Sequence, residues 1–279
     1  MAVSGERVTR LSVFFTGRLV GSDGGADQKW EYWSTVAQSV VWGISFFNNE
    51  STAAEDNGAL PLGEGYSMKI AIFGASGATG LLLTERCLAA GYEISALVRT
   101  PEAFPYRDRL RVVEGNAFDS AAVRETIAGS EVVLSALGAR SLGKEDVLER
   151  AVPLIVAEMQ QAGVRRIIVL GSAGAKEDAL KKQFPPRRWF VQTVIYNTFL
   201  KWPVAAQRAQ FASLSRSGLD WTMVMPPMLV NRPGRGVYRI DGDALPRNGM
   251  RISRSDVADF MMRQISDLEW VGKGVYISW

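Results

Sequence analysis

The chain has 279 residues, 47% hydrophobic and 22% charged, with a formal net charge of +3. It contains no histidine and a single cysteine, Cys87. This excludes an intramolecular disulfide, an imidazole base and a His-ligated metal, and leaves no Cys/His cluster for structural zinc. No metal site is expected.

Residues 1–67 carry 4 Lys+Arg against 8 Asp+Glu, leaving 28 against 21 for residues 68–279. The first segment reads as an N-terminal extension, largely disordered, with turn-rich stretches "GSDGGADQ" and "NNESTAAEDNGALPLGEG". Between them, Trp30, Trp33, Val36, Val40, Ile44 and Phe47 recur every three or four positions, which predicts an amphipathic helix over 30–47. It is too polar for a membrane span, and an interfacial helix stays open although its polar face lacks Lys and Arg. Arg18 interrupts the apolar stretch that follows Arg7 and Arg10, so no signal peptide is read. Two readings remain for the extension: a dispensable product of an upstream start, or a membrane- or partner-binding segment. A lone cysteine makes a cytoplasmic protein the expectation.

Residues 68–279 form the expected folded domain. Their basic balance suits an anionic ligand, but the basic residues are scattered without interleaved aromatics, so no nucleic-acid partner is expected. "KIAIFG" (Lys69–Gly74) reads as a buried parallel strand, "ASGATG" as a turn, and "LLLTERCLAAG" as a helix closing on Gly91. Gly74 permits the tight turn, Gly77 a close backbone approach to a pyrophosphate, and Gly80 close helix–strand packing. Ser76 and Thr79 can add hydroxyl donors to the phosphates. The spacing is G-x-x-G-x-x-G, and the strand before it and helix after it give the motif its weight.

The second strand, "YEISALVR", ends at Arg99, where NAD-binding folds usually place an acidic residue. An arginine there suits a 2′-phosphate, so NADP(H) is the preferred cofactor, with NAD(H) remaining open. "LRVVEGNA" gives a third strand leaving through Asn116 and Ala117, and "EVVLSALG" a fourth ending at Leu137 and Gly138, followed by Arg140. "DVLERAVPLIVAEMQQAGV" reads as a helix containing Pro153. "RRIIVLGSAG" is a fifth strand ending at Ser172, and "DWTMVMPPMLV" a sixth. Such alternation predicts an α/β, Rossmann-like doubly wound parallel sheet with helices on both faces and ligand at the carboxyl ends of its strands.

"IAIFGASGATG", "GYEISALVR", "WTMVMPP" and "ISRSDVADFMM" together resemble the extended and atypical short-chain dehydrogenase/reductase group, in its NAD(P)H-binding branch. The likeness is strongest to flavin reductase/biliverdin-IXβ reductase proteins and looser to NmrA-like proteins, and covers Met68 to the C-terminus. It implies that Gly74, Ser76, Gly77, Ala78, Thr79 and Gly80 hold the pyrophosphate and that Arg99, helped by Arg140 or Arg107, takes the 2′-phosphate. It further implies that Asn116 and Ala117 lie by the adenine, and Leu137 and Gly138 by the nicotinamide ribose. Ser172 would lie beside the nicotinamide, with Pro226, Pro227 and Met228 shaping its pocket. Met228 stands where related flavin reductases often carry a histidine.

No Tyr-x-x-x-Lys motif is present: Tyr196 is followed by Lys201, which puts the two on different faces of an α-helix. "VIYNTFLKW" therefore reads as an apolar, aromatic helix packing into the core or onto a partner. The helices of Lys176–Gly218, basic at "KK…PPRRW", also carry Trp189, Phe190, Phe199 and Trp202, which could cover a planar acceptor, with core packing the preferred use. Ser172 is left as the candidate catalytic residue. The expected activity is NADPH-dependent hydride transfer to a small planar acceptor such as a flavin or quinone; the alternative is a non-catalytic NADP(H)-binding sensor of NmrA-like type. The oligomeric state is open, with a monomer favoured.

Overall fold

The computed structural model describes residues 67–139, 141–144 and 146–279. The extension up to residue 66, its 30–47 helix and Arg140 lie outside the described residues.

Strand and helix alternate from Lys69 onward. The series opens with β1 (Lys69–Phe73), α1 (Ala78–Ala89), β2 (Glu93–Val98), β3 (Arg111–Glu114), α2 (Ser120–Ile127) and β4 (Val132–Ser135). It continues with α3 (Val147–Ala162), β5 (Arg166–Leu170), and α4 (Pro185–Phe190), which runs on as a π-helix over Val191–Phe199. Then come α5 (Lys201–Ser215), β6 (Asp220–Met225), β7 (Met228–Val230), β8 (Arg239–Asp241), β9 (Arg251–Ser253), α6 (Arg254–Arg263) and β10 (Lys273–Ser278).

The main sheet runs β3-β2-β1-β4-β5-β6-β10-β8, with only β8 antiparallel. Its central strands are apolar on both faces because both faces are covered. One core joins Phe73, Val133, Val169 and Met223 to residues of α2, α3 and α5; the other joins Ile70, Ile72, Leu134 and Val224 to residues of α1 and α6. This is the doubly wound arrangement the alternation predicts. The order of strands reverses between β1 and β4, which makes their carboxyl ends the switch point.

Local signals behave as their chemistry requires. Gly91 ends α1 at φ +80° while the Tyr92 N–H donates to Cys87 O at 3.1 Å, a glycine-dependent helix stop. Cys87 is fully buried as core filler, and burial pushes its thiol up to about 12. The expected sixth strand is shorter than "DWTMVMPPMLV". It ends at Met225 because Pro226 and Pro227 have no N–H to give a ladder. Met228–Val230 leave the sheet and pair with β9 instead.

The C-terminal region is locked by one carboxylate. Asp256, 2% exposed, accepts from Arg235 N (3.1 Å), Gly236 N (3.0 Å), Ser253 Oγ (2.9 Å) and Trp279 Nε1 (2.7 Å). Ser253 caps α6 by accepting from Asp256 N at 2.9 Å, and the Arg235 guanidinium lies 3.9 Å over the Trp279 ring. Arg235 is thus a clamp residue. Burial alone would raise the Asp256 pKa, but the donors from Arg235, Trp279, Gly236 and Ser253 together hold it below the ordinary carboxylate value. A depressed pKa contributes stability above the unfolded value of about 3.9, which is lost as pH falls through the folded one. Asp256→Asn should cost about 1–2 kcal/mol at neutral pH, with the gap to the parent narrowing in acid. Thermal melts of both proteins down to acid pH check this; a gap that stays constant in acid contradicts it.

Candidate functional site

The site is built on the carboxyl edge of the sheet. Gly74 leaves β1 at φ +78°, and a Cβ there would lie 2.8 Å from the Ala136 carbonyl and 2.9 Å from Leu137 N. The exits of β1 and β4 therefore touch, and only glycine fits between them. The loop closes by Gly77 N donating to Gly74 O at 3.0 Å, and α1 begins at Ala78. A Cβ on Gly80 would fall 2.0 Å from Gly74 O, whereas one on Gly77 would meet only that same oxygen, at 3.2 Å. Gly80 is thus demanded by packing. Gly77 faces outward.

Ser76, Gly77 and Ala78 are exposed, while Thr79 is buried. The N-terminus of α1 has no side-chain cap and no acidic residue in its first turn. Its backbone donors and its positive dipole end are left for an outside anion. An exposed glycine turn leading into such a helix end meets the requirements of a pyrophosphate cradle.

Beyond β2, Arg99 is exposed and makes no ion pair or hydrogen bond among the described residues. Arg107, its expected helper, lies 3.6 Å from Asp108 instead. Asn116 is exposed after β3, where its Oδ1 accepts from Phe118 N and its carbonyl from Asp119 N, both at 2.9 Å, with half-buried Ala117 beside it. After β4, Leu137 is half-buried, and a Cβ on exposed Gly138 would meet nothing within 4 Å.

Ser172 follows β5. It is half-buried, its carbonyl accepts from Ala175 N at 3.0 Å, and its hydroxyl neither caps the short 3₁₀ turn Ala173–Ala175 nor makes a hydrogen bond among the described residues. Ala173 N donates to Pro226 O at 2.8 Å, tying this turn to the β6 exit, where Pro227 is half-buried and Met228 is exposed. The edge brings the sequence-predicted residues into one line, from Arg99 at β2 to Ser172 at β5. At about 4.8 Å per strand, these two turns stand about 14 Å apart.

The π-helix adds a residue that the sequence reading assigned to packing. A Cβ built on Gly174 would lie 3.7 Å from Ser172 Oγ and 3.7 Å from the Tyr196 phenol carbon Cζ. Tyr196 is half-buried and packs against the core, and its ring and Ser172 both border Gly174. Burial pushes its phenol up to about 12, partly countered by Arg208 rather than by Lys201. It is a neutral donor at physiological pH. No short motif signals this residue, because Tyr196 and Ser172 come to border Gly174 only in the fold.

One expectation for the segment after β5 changes. Trp189, Phe190, Phe199 and Trp202 do not pack into the core: they are 63%, 50%, 53% and 42% exposed. Nearby, Lys181 and Lys182 pair with Asp243 and Asp241.

A family model described as NAD(P)H-binding matches residues 74–268, which spans the glycine turn, the β5 exit and α6. The chain belongs to this NAD(P)H-binding family. Family membership agrees with the resemblance to the atypical short-chain dehydrogenase/reductase group and makes a nicotinamide dinucleotide its cofactor class. Among relatives, the uncharacterized protein YwnB of Bacillus subtilis is 24% identical over 208 residues, covering 72% of this chain and 92% of its own. A short-chain dehydrogenase/reductase of Veillonella parvula solved in complex with NADP superimposes with a TM-score of 0.63 at 19% identity, over 77% of this chain and 95% of its own. ChuY, an anaerobilin reductase of Escherichia coli O157:H7, does so with a TM-score of 0.63 at 18% identity, over 76% and 97%. These two likenesses are of fold. In this fold the glycine turn and Ser172 both stand at the carboxyl edge of the sheet.

Proposed function

We propose that residues 68–279 form an NADPH-dependent reductase that passes hydride to a planar acceptor of the flavin or quinone class. The observation that carries this reading is a single sheet edge with anion-binding groups at one end and uncharged proton donors at the other. The former are an uncapped helix N-terminus and an arginine without an acidic partner; the latter are Ser172 and Tyr196.

In this reading Gly74, Ser76, Gly77, Ala78, Thr79 and Gly80 hold the pyrophosphate. Backbone N–H groups of the first turn donate to it, joined by the exposed Ser76 hydroxyl; buried Thr79 serves through its backbone. Arg99 pairs with the 2′-phosphate, which supplies the acidic partner it otherwise lacks. Asn116 and Ala117 flank the adenine, Leu137 and Gly138 the nicotinamide ribose, and Pro226, Pro227 and Met228 wall the nicotinamide. When bound, the nicotinamide supplies the hydride. Ser172 donates a hydrogen bond to the acceptor atom on which negative charge builds, and the neutral Tyr196 phenol supplies a second donor there. Neither acts as a base, so the acceptor's proton comes from the phenol or from water. The NADP complex of the Veillonella protein and the reductase activity named for ChuY lend support by likeness of fold.

Ser172→Ala and Tyr196→Phe should each lower kcat by about 10²-fold or more while leaving the NADPH Kd within a factor of about two. Steady-state turnover beside a fluorescence titration checks both. Loss of NADPH binding in either variant would make these residues structural. Tight binding without turnover on any flavin or quinone would favour the sensor reading.

A further inference from the structure

Residues 184–202 hold Phe184, Trp189, Phe190, Phe199 and Trp202, five of the nine large hydrophobic residues left exposed among the described residues. Neither α4 nor the π-helix after it buries a single residue fully. Concentrated aromatic exposure of this kind marks a contact surface.

Charge decides what the surface contacts. No Asp or Glu occurs between Ala179 and Leu219. Lys181, Lys182 and Arg208 pair with acids from outside that stretch, but Arg187, Arg188 and Lys201 have no acidic partner among the described residues. Arg188 Nε donates to Gln192 at 3.2 Å, and the Lys201 ammonium lies 5.1 Å from the Trp202 ring. Lys144 approaches the same ring at 5.6 Å. A second copy meeting this face through a two-fold axis would set these cations against their own equivalents with no acid between them. An anionic lipid surface suits both components, with Trp and Phe at headgroup level and Arg and Lys on the phosphates.

We infer that residues 184–202 dock the protein peripherally on anionic lipid. No helix among the described residues is long and apolar enough to cross a membrane, so the contact is with one leaflet. Val191 and Tyr196 pack inward on the core while Trp189, Phe190, Phe199 and Trp202 are exposed, so the segment is anchored to the domain and presents its apolar side chains outward. The docking itself needs no bound cofactor and no turnover.

The test uses the full 279-residue chain and sedimentation with phosphatidylcholine vesicles, with or without about one third phosphatidylglycerol. The parent should partition onto the anionic vesicles, weakly onto phosphatidylcholine alone, and less in high salt. Trp189→Glu with Phe190→Glu, and separately Arg187→Glu with Arg188→Glu, should each lower partitioning by about tenfold or more, with the thermal melt unchanged. Arg187→Lys with Arg188→Lys should retain it. Every variant keeps residues 1–66, so binding indifferent to both pairs of substitutions would place the lipid contact elsewhere and overturn the inference. Failure of the parent to bind at low salt would do the same. So would a dimer that the Trp189/Phe190 pair dissolves in a protein that ignores vesicles.

Discussion

Gly80→Ala is expected to cost about 3 kcal/mol of stability and to abolish NADPH binding. A Cβ at that position would fall 2.0 Å from Gly74 O, and the obstacle is backbone, so no rotamer change relieves it. Either α1 shifts off the sheet or the Gly74 turn opens, and both displace the helix N-terminus from the edge. The gain in helix propensity from glycine to alanine, about 1 kcal/mol, is too small to compensate. Gly77→Ala separates ligand from fold. Its Cβ would meet the same oxygen at 3.2 Å, a contact eased by a small shift, on an exposed residue. Its melting temperature should stay near the parent's while NADPH affinity falls by about tenfold, the loss of one good backbone approach. Denaturant unfolding and nucleotide titration on both variants test the pair. Equal stability of the two, or full affinity in Gly77→Ala, would contradict the cradle.

Arg99→Ala should weaken NADPH by about ten- to a hundredfold and leave NADH unchanged, because charge-assisted bonds to a phosphate are worth about 1.5–3 kcal/mol. The size follows from solvent exposure and from the lack, among the described residues, of an acid paired with the guanidinium. Arg107, engaged with Asp108, is a poor substitute. Rising salt should erode the difference between the two nucleotides in the parent but not in the variant. Isothermal titration with both nucleotides reads this directly. Equal losses for NADPH and NADH would mean that Arg99 shapes the turn rather than reading the phosphate.

The fold was legible wherever apolar runs met glycine. β1, the turn and α1 follow from "KIAIFGASGATG" because a buried parallel strand, a positive-φ exit and an uncapped helix leave little choice of residues. The breaks at Pro226 and Pro227 were visible as residues, but where the chain goes after them depends on a partner strand 23 residues away, Met228 pairing with Arg251. Ser253 and Asp256 have the spacing of a helix cap and its partner; that the same carboxylate also gathers Arg235 and Trp279 depends on tertiary contact alone. The segment after β5 misled for a physical reason. Its aromatic spacing fits burial and surface contact equally, and only the fold shows that α5, not this element, already covers the β5–β6 face. Tyr196 was hidden for a related reason, since no lysine stands four residues on and its ring and Ser172 border Gly174 only once the chain is folded.

The most direct measurement is a fluorescence titration of the full chain with NADPH and NADH, followed by addition of FMN, FAD and quinones to the same sample. The expected result is saturable binding that favours NADPH, then oxidation that depends on at least one of these acceptors. Binding of neither nucleotide would contradict the account at its root.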